Sequence, residues 1–444
     1  MTRLPGPRGP FAVLSLARHL NADPYATLPA MLDEYGPVIE FGRGKYKYIY
    51  LLSPEANEHI LVGDPGNFTW KEAFQPLVAV NGETALVVSD GDEHQRRRRI
   101  VQPAFHIRRI ASYFDVMLDE TNQVIDTWNT GDTVDAYAEF RITIRRIVLR
   151  CLFGQGLRNV DAQIGDQLEV ALAYVNRPPM RRLDWNLPWS AYRSAITART
   201  AVDAIVFAEI NRRREHDEQS DDILGWLMAG QDDDRLNDQE VRDQVVSLVA
   251  AGYDTTASAM GWIAANLADE SVHRDIIRAE VDTVGGIEHF NLEKLSKLTY
   301  TAAFVNEVLR VHPPAIWSGR TVVDDFNIHG CTIPAGEKVL FSPHVTHHLP
   351  SEFPEPSAVK PGRWIDGHPD QHDSHPYAFI PFGGGPRRCL GFAFATQELI
   401  AMTAVHASRV DSSRAVGQPL VPAGTMSSAP AGGVPVTIGT VRSL

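Results

Sequence analysis

The sequence predicts a mainly α-helical fold with a minor β region, formed as a single domain over residues 1–444. Three observations favour this class. Long segments carry apolar residues at helical spacing, the β-like runs are few and short, and no linker, repeat or low-complexity tract divides the chain. Hydrophobic residues make up 44% of the chain and charged residues 22%, so a large core is available.

The first predicted elements are a short helix and a hairpin. Residues 24–35 have the spacing of an amphipathic helix. Two β-like runs follow at residues 38–41 and 46–50, and Gly42 and Gly44 lie between them. This pattern is typical of a β-hairpin.

Helical spacing then dominates the chain. The predicted helices cover residues 110–128, 140–152, 166–174, 194–215, 237–267, 272–284, 300–312 and 392–400. Short β signals return at residues 320–326, 339–342 and 434–438. Two irregular stretches, residues 66–91 and 177–190, carry many apolar and aromatic groups. Since long irregular segments of compact domains often carry function, they are candidate walls of a substrate pocket.

The charge of the chain restricts its partners. A formal net charge of −13 argues against a nucleic-acid partner, which requires a basic surface. Several arginines nevertheless cluster in sequence and predict a docking face for an acidic protein. They are Arg96, Arg97, Arg98, Arg99, Arg108, Arg109, Arg387 and Arg388.

Cysteine usage and the N-terminus indicate a cytoplasmic protein. The only cysteines are Cys151, Cys331 and Cys389, a sparse and odd set typical of a reducing compartment. The apolar stretch at residues 11–17 is too short to span a bilayer and lacks a cleavage pattern. No membrane span is therefore expected.

The most informative segment is residues 382–391, which read Phe-Gly-Gly-Gly-Pro-Arg-Arg-Cys-Leu-Gly. The glycines let backbone amides approach the sulfur of Cys389, and the predicted helix that follows would favour a thiolate through its N-terminus. Arg387 lies two residues before the cysteine, where it can reach a haem carboxylate. A thiolate ligand on haem iron favours O–O cleavage of bound dioxygen.

A second motif lies within the predicted helix 237–267. It reads Ala-Gly-Tyr-Asp-Thr-Thr over residues 251–256, and these residue types are poor choices for a helix interior. A helix accepts them where its hydrogen bonding opens locally at a functional site. Asp254 and Thr255 are therefore candidates for proton delivery, because general acid catalysis needs such a relay.

Two further charged sets are predicted to be structural or to bind an anion. Glu307 and Arg310 share one face of an apolar helix, and burial of both requires another partner, for which Arg363 is the candidate. His94 and Arg98 lie one helical turn apart, so they can bind one propionate together.

Together these four patterns resemble the cytochrome P-450 superfamily of haem-thiolate monooxygenases, in the expected order and over nearly the whole chain. The resemblance implies the cytochrome P-450 fold, with haem b between the long central helix and the cysteine loop. It implies that Cys389 is the iron ligand, with Phe382 and Gly391 beside it. It also implies that Asp254 and Thr255 are the acid–alcohol pair over the distal haem face.

The resemblance extends to the remaining charged residues. It implies that the propionate ligands are His94, Arg98, Arg320 and Arg387, and that Glu307, Arg310 and Arg363 form the structural triad behind the haem. Two positions depart from the usual pattern. His94 stands where many members have tryptophan, and Gly362 precedes Arg363 where many have a larger or charged residue.

The implied activity is hydroxylation or epoxidation of an apolar small molecule by dioxygen, with electrons from a separate ferredoxin and ferredoxin reductase. The substrate is expected to be a polyketide, terpenoid or other secondary metabolite. Candidate wall residues are Trp70, Phe74, Leu77, Val80, Trp185, Leu248, Ala251, Ile316, Trp317 and Met426.

Two alternatives remain open at this stage. One is a haem-thiolate enzyme that catalyses oxidative coupling or peroxide dehydration without oxygen insertion, although the hydroxyl of Thr255 favours dioxygen activation. The other is a non-catalytic haem or docking protein, or a zinc site in which Cys389 joins His347 and His348. Zinc normally requires several close cysteines or histidines, which Cys389 lacks in sequence.

Overall fold

The computed structural model describes residues 4–154, 157, 160–177, 185–216, 218, 220–229, 235–288, 290–415, 419–424 and 427–443. Its helices, in chain order, are α1 (Pro10–Ala22), α2 (Pro24–Tyr35), α3 (Pro54–Glu58), α4 (Val78–Asn81), α5 (Gly91–Val101), α6 (Ile107–Ile125), α7 (Ala136–Phe153), α8 (Asp161–Val175), α9 (Ala191–Glu215), α10 (Ile223–Met228), α11 (Asp238–Asp269), α12 (Ser271–Thr283), α13 (Leu292–Leu295), α14 (Thr299–Val311), α15 (Pro343–His347) and α16 (Phe392–Arg409). The mainly helical prediction is confirmed.

The strands form four small sheets in this part of the chain. They are β1 (Val38–Phe41), β2 (Tyr48–Leu51), β3 (Phe68–Thr69), β4 (Thr133–Asp135), β5 (Ser318–Val322), β6 (Phe326–Ile328), β7 (Cys331–Ile333), β8 (Lys338–Phe341), β9 (Val410–Arg414), β10 (Pro422–Ala423), β11 (Ala429–Pro430) and β12 (Pro435–Val441). The largest sheet has the order β1-β2-β8-β5-β3, and β4-β12-β9 form another. The pairs β6-β7 and β10-β11 complete the set.

The predicted first helix and hairpin are confirmed. Helix α2 has the predicted bounds and is capped by the side chain of Asp23, which accepts a hydrogen bond from the amide of Ala26. Strands β1 and β2 pair antiparallel, with Val38 opposite Leu51. Helix α1 was not predicted, because Phe11 and Leu14 are exposed and break the amphipathic pattern.

The predicted helices all exist among the described residues, with shifted ends. Helix α16 continues nine residues beyond the predicted end, to Arg409. The predicted strand 320–326 is wrong as one element, because the chain bends after β5 and begins β6 in a different sheet. The bend is fixed by Asn67, whose side chain accepts from the Asp324 amide at 2.6 Å.

Helix α11 is the longest helix and lies in the largest core cluster, packed against α7, α14 and α16. It begins with a capping box in which Asn237 and Glu240 each bond the other's backbone amide, at 2.9 and 3.1 Å. Most of its side chains are buried, so an accessible side chain in the middle of this helix is an exception.

Candidate active site

The cysteine loop folds tightly before α16. The amide of Cys389 donates to the carbonyl of Phe382 at 2.9 Å, and Phe382 packs edge-on against Phe392 with ring centroids 6.5 Å apart. Gly385 has a φ of +60°, and a Cβ there would lie 1.8 Å from the carbonyl oxygen of Leu61. Only glycine therefore permits this path of the loop.

The thiol of Cys389 is accessible but poorly solvated. Its side chain is exposed by surface area, yet burial raises the pKa of the thiol, opposed by the Gly391 amide and by the nearby Arg98 and Arg388. The Cys389 thiol is thus accessible but surrounded by protein, which indicates that it faces an enclosed recess rather than bulk water. Gly391, at the N-cap of α16, thus donates toward the sulfur.

Four cationic or protonatable side chains meet beside this recess, and we call them the cation cluster: His94, Arg98, Arg320 and Arg387. Burial, and then the charges of Arg387 and Arg98, lower the pKa of His94 to about 3. Burial, followed by the charge of Arg387, also holds the pKa of Arg320 well below its ordinary value. These four residues come from α5, β5 and the cysteine loop, so the fold unites predictions that are distant in sequence.

The cation cluster contains far more positive than negative charge. Asp90 pairs with Arg387 at 2.5 Å, whereas Arg98 donates to the carbonyl of Arg388 at 2.9 Å. Arg320 donates to the Gly319 carbonyl at 2.6 Å. Among the described residues, neither Arg98 nor Arg320 forms an ion pair. Buried charges require partners, so the cluster fits an anionic group such as the carboxylates of haem.

An aromatic side chain supports the cluster in a way that the sequence did not reveal. The guanidinium of Arg320 lies 3.7 Å from the ring centroid of Trp70, and that of Arg387 lies 5.4 Å from it. Trp70 in turn stacks on Phe74 at 4.4 Å. The prediction of Trp70 as a substrate wall overlooked this cation–π contact, because sequence spacing cannot relate residue 70 to residue 320.

The accessible side of α11 is a stripe formed by Leu248, Ala251 and Thr255. Their spacing of three and four residues places them on one helix face. The hydroxyl of Thr255 donates to the carbonyl of Ala251 at 2.7 Å, as a threonine in a helix does when no other acceptor is near.

The side chain of Asp254 belongs to a chain of ion pairs with Arg141 and Glu169. Nε of Arg141 lies 3.4 Å from its Oδ1, and Arg141 also pairs with the exposed Glu169 at 3.1 Å. Burial raises the pKa of Asp254, and Arg141 opposes this effect. Arg141 thus joins a partly buried carboxyl on α11 to an exposed one on α8, a link that the sequence did not predict.

The expected ion pairs behind the site are present. Arg310 binds both carboxylate oxygens of Glu307, at 2.8 and 2.9 Å, and Nε of Arg363 reaches the same carboxylate at 3.1 Å. The indole of Trp364 and the amide of Lys360 also donate to Glu307, each at 2.9 Å. The charge is fully satisfied although Glu307 and Arg310 are 0% exposed.

The predicted basic docking face is partly wrong. Arg96 and Arg97 both bind Glu240 on α11, at 2.8 and 3.1 Å, and Arg97 is buried. Arg387 points into the cation cluster. The side chain of Arg108 lies outside the described ones. Arg98, Arg99 and Arg109 line a surface cleft of about 900 Å³, whereas Arg388 is exposed and stacks on Phe392.

The candidate wall residues lie in different surroundings. Leu248 and Ala251 are on the accessible stripe of α11. Val80 and Ile316 are almost fully buried, whereas Trp185 is 57% exposed on the surface. Met426, and residues 178–184 of the irregular stretch 177–190, lie outside the described residues.

The described residues contain neither a cluster of metal-ligating side chains nor a helix that could cross a membrane. No group of three or more His, Cys, Asp or Glu side chains in this part of the chain converges as a metal site. No described helix combines the length and mean hydropathy that a membrane crossing requires.

Comparison with known proteins gives a consistent result. The family model for Cytochrome P450 matches residues 4–406. Putative cytochrome P450 139 of Mycobacterium tuberculosis is 37% identical over 372 residues, which cover 83% of this chain and 86% of the relative. Cyclooctatin synthase of Streptomyces melanosporofaciens is 32% identical over 388 residues, covering 85% and 83%. The solved structure of retinoic acid bound cyanobacterial CYP120A1 matches with a TM-score of 0.88 and 25% identity, over 99% of both chains.

Proposed function

Because the chain belongs to the cytochrome P450 family, we propose that it inserts an oxygen atom from dioxygen into an apolar small molecule, by hydroxylation or epoxidation. The family assignment makes it a haem monooxygenase. The observation that carries the haem assignment is the cation cluster beside Cys389, because among the described residues its three arginines pair with one carboxylate, that of Asp90, which leaves a positive charge that matches a dianionic cofactor.

We assign the cofactor as haem b, held by Cys389 and the cation cluster. When bound, a thiolate-ligated haem activates dioxygen, because the thiolate donates electron density that favours O–O cleavage. Arg98, Arg320 and Arg387 would neutralise the two propionates, and His94 would add a hydrogen bond. The ring of Trp70 makes cation–π contacts with Arg320 and Arg387, so their guanidinium groups are oriented before the cofactor binds.

Thr255 and Asp254 are proposed to deliver protons. The hydroxyl of Thr255 holds a proton on the accessible stripe of α11, while the partly buried carboxyl of Asp254 has a raised pKa and can carry one. Arg141 stays protonated and links this carboxyl to Glu169 at the surface through two ion pairs. The chain's contribution is therefore to position the substrate, supply protons from one side and exclude water.

The proposed substrate is a large apolar molecule, such as a secondary metabolite. The accessible stripe of α11 begins with Leu248 and Ala251, which offer only apolar contact. The names of two similar proteins support this class, since one is called cyclooctatin synthase and the other contains retinoic acid.

We propose a ferredoxin, reduced by a ferredoxin reductase, as the electron donor. The cleft around Arg99 and Arg109 would attract an acidic protein surface. A cytoplasmic location is proposed from the cysteines, because all three are free and an oxidising compartment would not preserve them.

The ligand assignment is tested by replacing Cys389 with serine. The ferrous–CO spectrum of the purified wild-type protein should show the red-shifted Soret band of a thiolate ligand, and Cys389→Ser should lose it. Cys331→Ser is the matched control and should keep the band, because Cys331 lies on β7. Retention of the band in Cys389→Ser would remove this residue as the ligand. Mass spectrometry of product formed under labelled dioxygen then distinguishes oxygen insertion from oxidative coupling.

A further inference from the structure

Three consecutive polar residues near the start of α11 are almost fully buried: Arg242, Asp243 and Gln244, at 0%, 1% and 1% exposure. Successive helical residues point about 100° apart, so three of them cover about 200° of the helix surface. They can all bind one segment only if that segment wraps around the helix. The segment is the loop of residues 70–90, which we call the 70–90 loop.

Arg242 and Asp243 hold the tip of this loop. Arg242 donates to the carbonyls of Val80 and Asn81 at 3.2 and 2.9 Å. The carboxylate of Asp243 accepts from the amide and the hydroxyl of Thr84, at 3.0 and 2.7 Å. Gly82 has a φ of +90°, and a Cβ there would overlap this carboxylate at 2.1 Å.

Gln244 holds the next turn of the loop. Its side chain accepts from the amide of Leu86 at 2.9 Å and donates to the carbonyl of Thr84 at 2.7 Å. Five backbone groups of the loop are therefore bound by three consecutive side chains of α11. Buried backbone groups rarely remain without partners, so the loop cannot lift away without leaving these groups unsatisfied.

The base of the loop is closed as well. Asp90 accepts from the amide of Trp70 at 2.9 Å and from that of Lys71 at 2.7 Å. The same carboxylate pairs with Arg387 of the cation cluster. The loop therefore runs from the cation cluster to α11 and returns to the cluster. Hydrogen bonds or ion pairs fix it both at the cluster and at α11.

Gln244 also places the loop next to the accessible stripe. It lies one helical turn before Leu248, on the same face of α11. Phe74, Val78 and Val87 of the loop are only partly buried, and they pack against the core cluster that Leu248 also contacts. The loop thus borders the accessible stripe at its N-terminal end.

We infer that Asp243 and Gln244 are positioning residues that make the 70–90 loop a fixed wall of the substrate cavity rather than a lid, and so set the enzyme's specificity. The role of this wall in specificity rests on the proposed function, whereas the fixation of the loop does not. Substrate would then enter between other elements.

Hydrogen exchange of the haem-loaded enzyme tests the fixation directly. The amides of Thr84 and Leu86 should be protected in the wild type, and Gln244→Ala should make the Leu86 amide exchange at least about tenfold faster. Gln244→Glu keeps the acceptor for the Leu86 amide but places a second oxygen against the Thr84 carbonyl, so protection at Leu86 should lie between those of Gln244→Ala and the wild type. Gly82→Ala should make the Thr84 amide exchange faster, because the added Cβ would overlap the Asp243 carboxylate that holds this amide. This variant replaces no residue of α11.

The matched control is Gln239→Ala. Gln239 donates to the same Asp243 carboxylate at 2.8 Å but is exposed and does not contact the loop, so its loss should leave both amides protected. Unchanged exchange of Leu86 in Gln244→Ala, or an equal loss of protection in Gln239→Ala, would overturn the inference.

Two azole probes test the effect on the cavity. A bulky azole, clotrimazole, must pack against the wall, whereas imidazole needs only the iron. A loosened wall must be ordered again on binding, so Gln244→Ala should raise the Kd of clotrimazole about tenfold and leave that of imidazole within about twofold. Equal changes for both probes would contradict the specificity role. Absence of the thiolate CO band in the wild type would instead contradict the proposed function, and the exchange result would stand.

Discussion

The hydroxyl of Thr255 is the clearest single-residue test of the proposed proton path. Thr255→Ala should retain the thiolate CO band but release more hydrogen peroxide per electron pair, because a positioned proton donor contributes about 10²–10⁴-fold to a proton-transfer step. The measurement is the ratio of product to NAD(P)H consumed in a reconstituted system.

Thr200 provides the control for Thr255. Its hydroxyl makes the same type of bond, to the carbonyl of Ile196 at 2.9 Å, but on the exposed surface of α9. Thr200→Ala should couple electrons to product as the wild type does. Equal coupling in Thr255→Ala and wild type would remove Thr255 from the proton path.

At the residue scale, sequence identified candidates but not their partners. The spacing of His94 and Arg98 follows from a helix, so their proximity could be predicted. The approach of Arg320 to Arg387 could not be predicted from spacing, because β5 and the cysteine loop are joined only by tertiary packing, and it was implied by the family resemblance alone. Asp90 precedes a helix and reads as a cap, and nothing in its sequence context indicates that it is the acid paired with Arg387.

At the scale of elements, the carboxylate of Glu307 joins α14 to the segment around Arg363. Glu307→Gln should destabilise the protein by about 3–5 kcal/mol, because it leaves buried guanidinium groups without a counter-charge. The expected result is a large fall in the Tm of the haem-loaded enzyme and poor recovery of folded protein.

Glu293 is the matched acid for this test. It pairs with Lys297 at 2.8 Å one turn away on the surface, with 78% of its side chain exposed. Glu293→Gln should leave the Tm close to that of the wild type, because an exposed ion pair contributes little to stability. Similar Tm values for the two variants would show that the Glu307 network does not stabilise the fold.

Helical periodicity predicted the existence of long elements well and their ends poorly. Helix α16 continues to Arg409 because residues 401–407 are buried on all sides, which hides the amphipathic pattern. Strands β5 and β6 could not be separated from sequence, since the bend between them depends on Asn67 from a distant segment. The four arginines 96–99 read as one basic face, but two of them bind Glu240 once α5 meets α11.

At the scale of the molecule, association with an electron donor should depend on long-range charge. The chain carries −13 overall, so attraction of an acidic ferredoxin must come from the local cleft around Arg99 and Arg109. The second-order rate of reduction should fall about tenfold as ionic strength rises from about 0.05 M to about 0.5 M.

The rate at which the electron donor reduces Arg388→Gln, measured by stopped flow, shows how much the surface beside Cys389 contributes to association with the donor. Arg388 is exposed and stacks on Phe392 at 3.7 Å, so its loss should slow reduction at low salt and have little effect at high salt. Arg18→Gln, on the exposed surface of α1, is the control. A rate that does not respond to ionic strength would exclude docking at this cleft.

The stability of the folded protein against acid depends on groups buried in the core, and His406 is one of them. Its lowered pKa predicts the direction in which stability changes with pH. His406 lies on α16 between Trp128 and Phe140, with ring centroids 5.9 and 5.3 Å away. Burial, and then the charge of Arg274, lowers its pKa to about 4. Below about pH 6.5 the unfolded chain binds a proton here that the folded protein rejects, so stability is lost as pH falls from about 6.5 toward 4, by up to about 1.4 kcal/mol per pH unit.

Replacing His406 with phenylalanine should therefore flatten the acid side of the stability profile. The Nδ1 atom of His406 has no hydrogen-bond partner among the described residues, so the aromatic packing survives and no known bond is lost. The Tm of the haem-loaded enzyme should depend less steeply on pH between about 6.5 and 4, because unfolding of the variant takes up about one proton fewer. An exposed histidine variant, His372→Gln, should leave the slope unchanged, and an identical slope in His406→Phe and wild type would show that this side chain is not a source of acid lability.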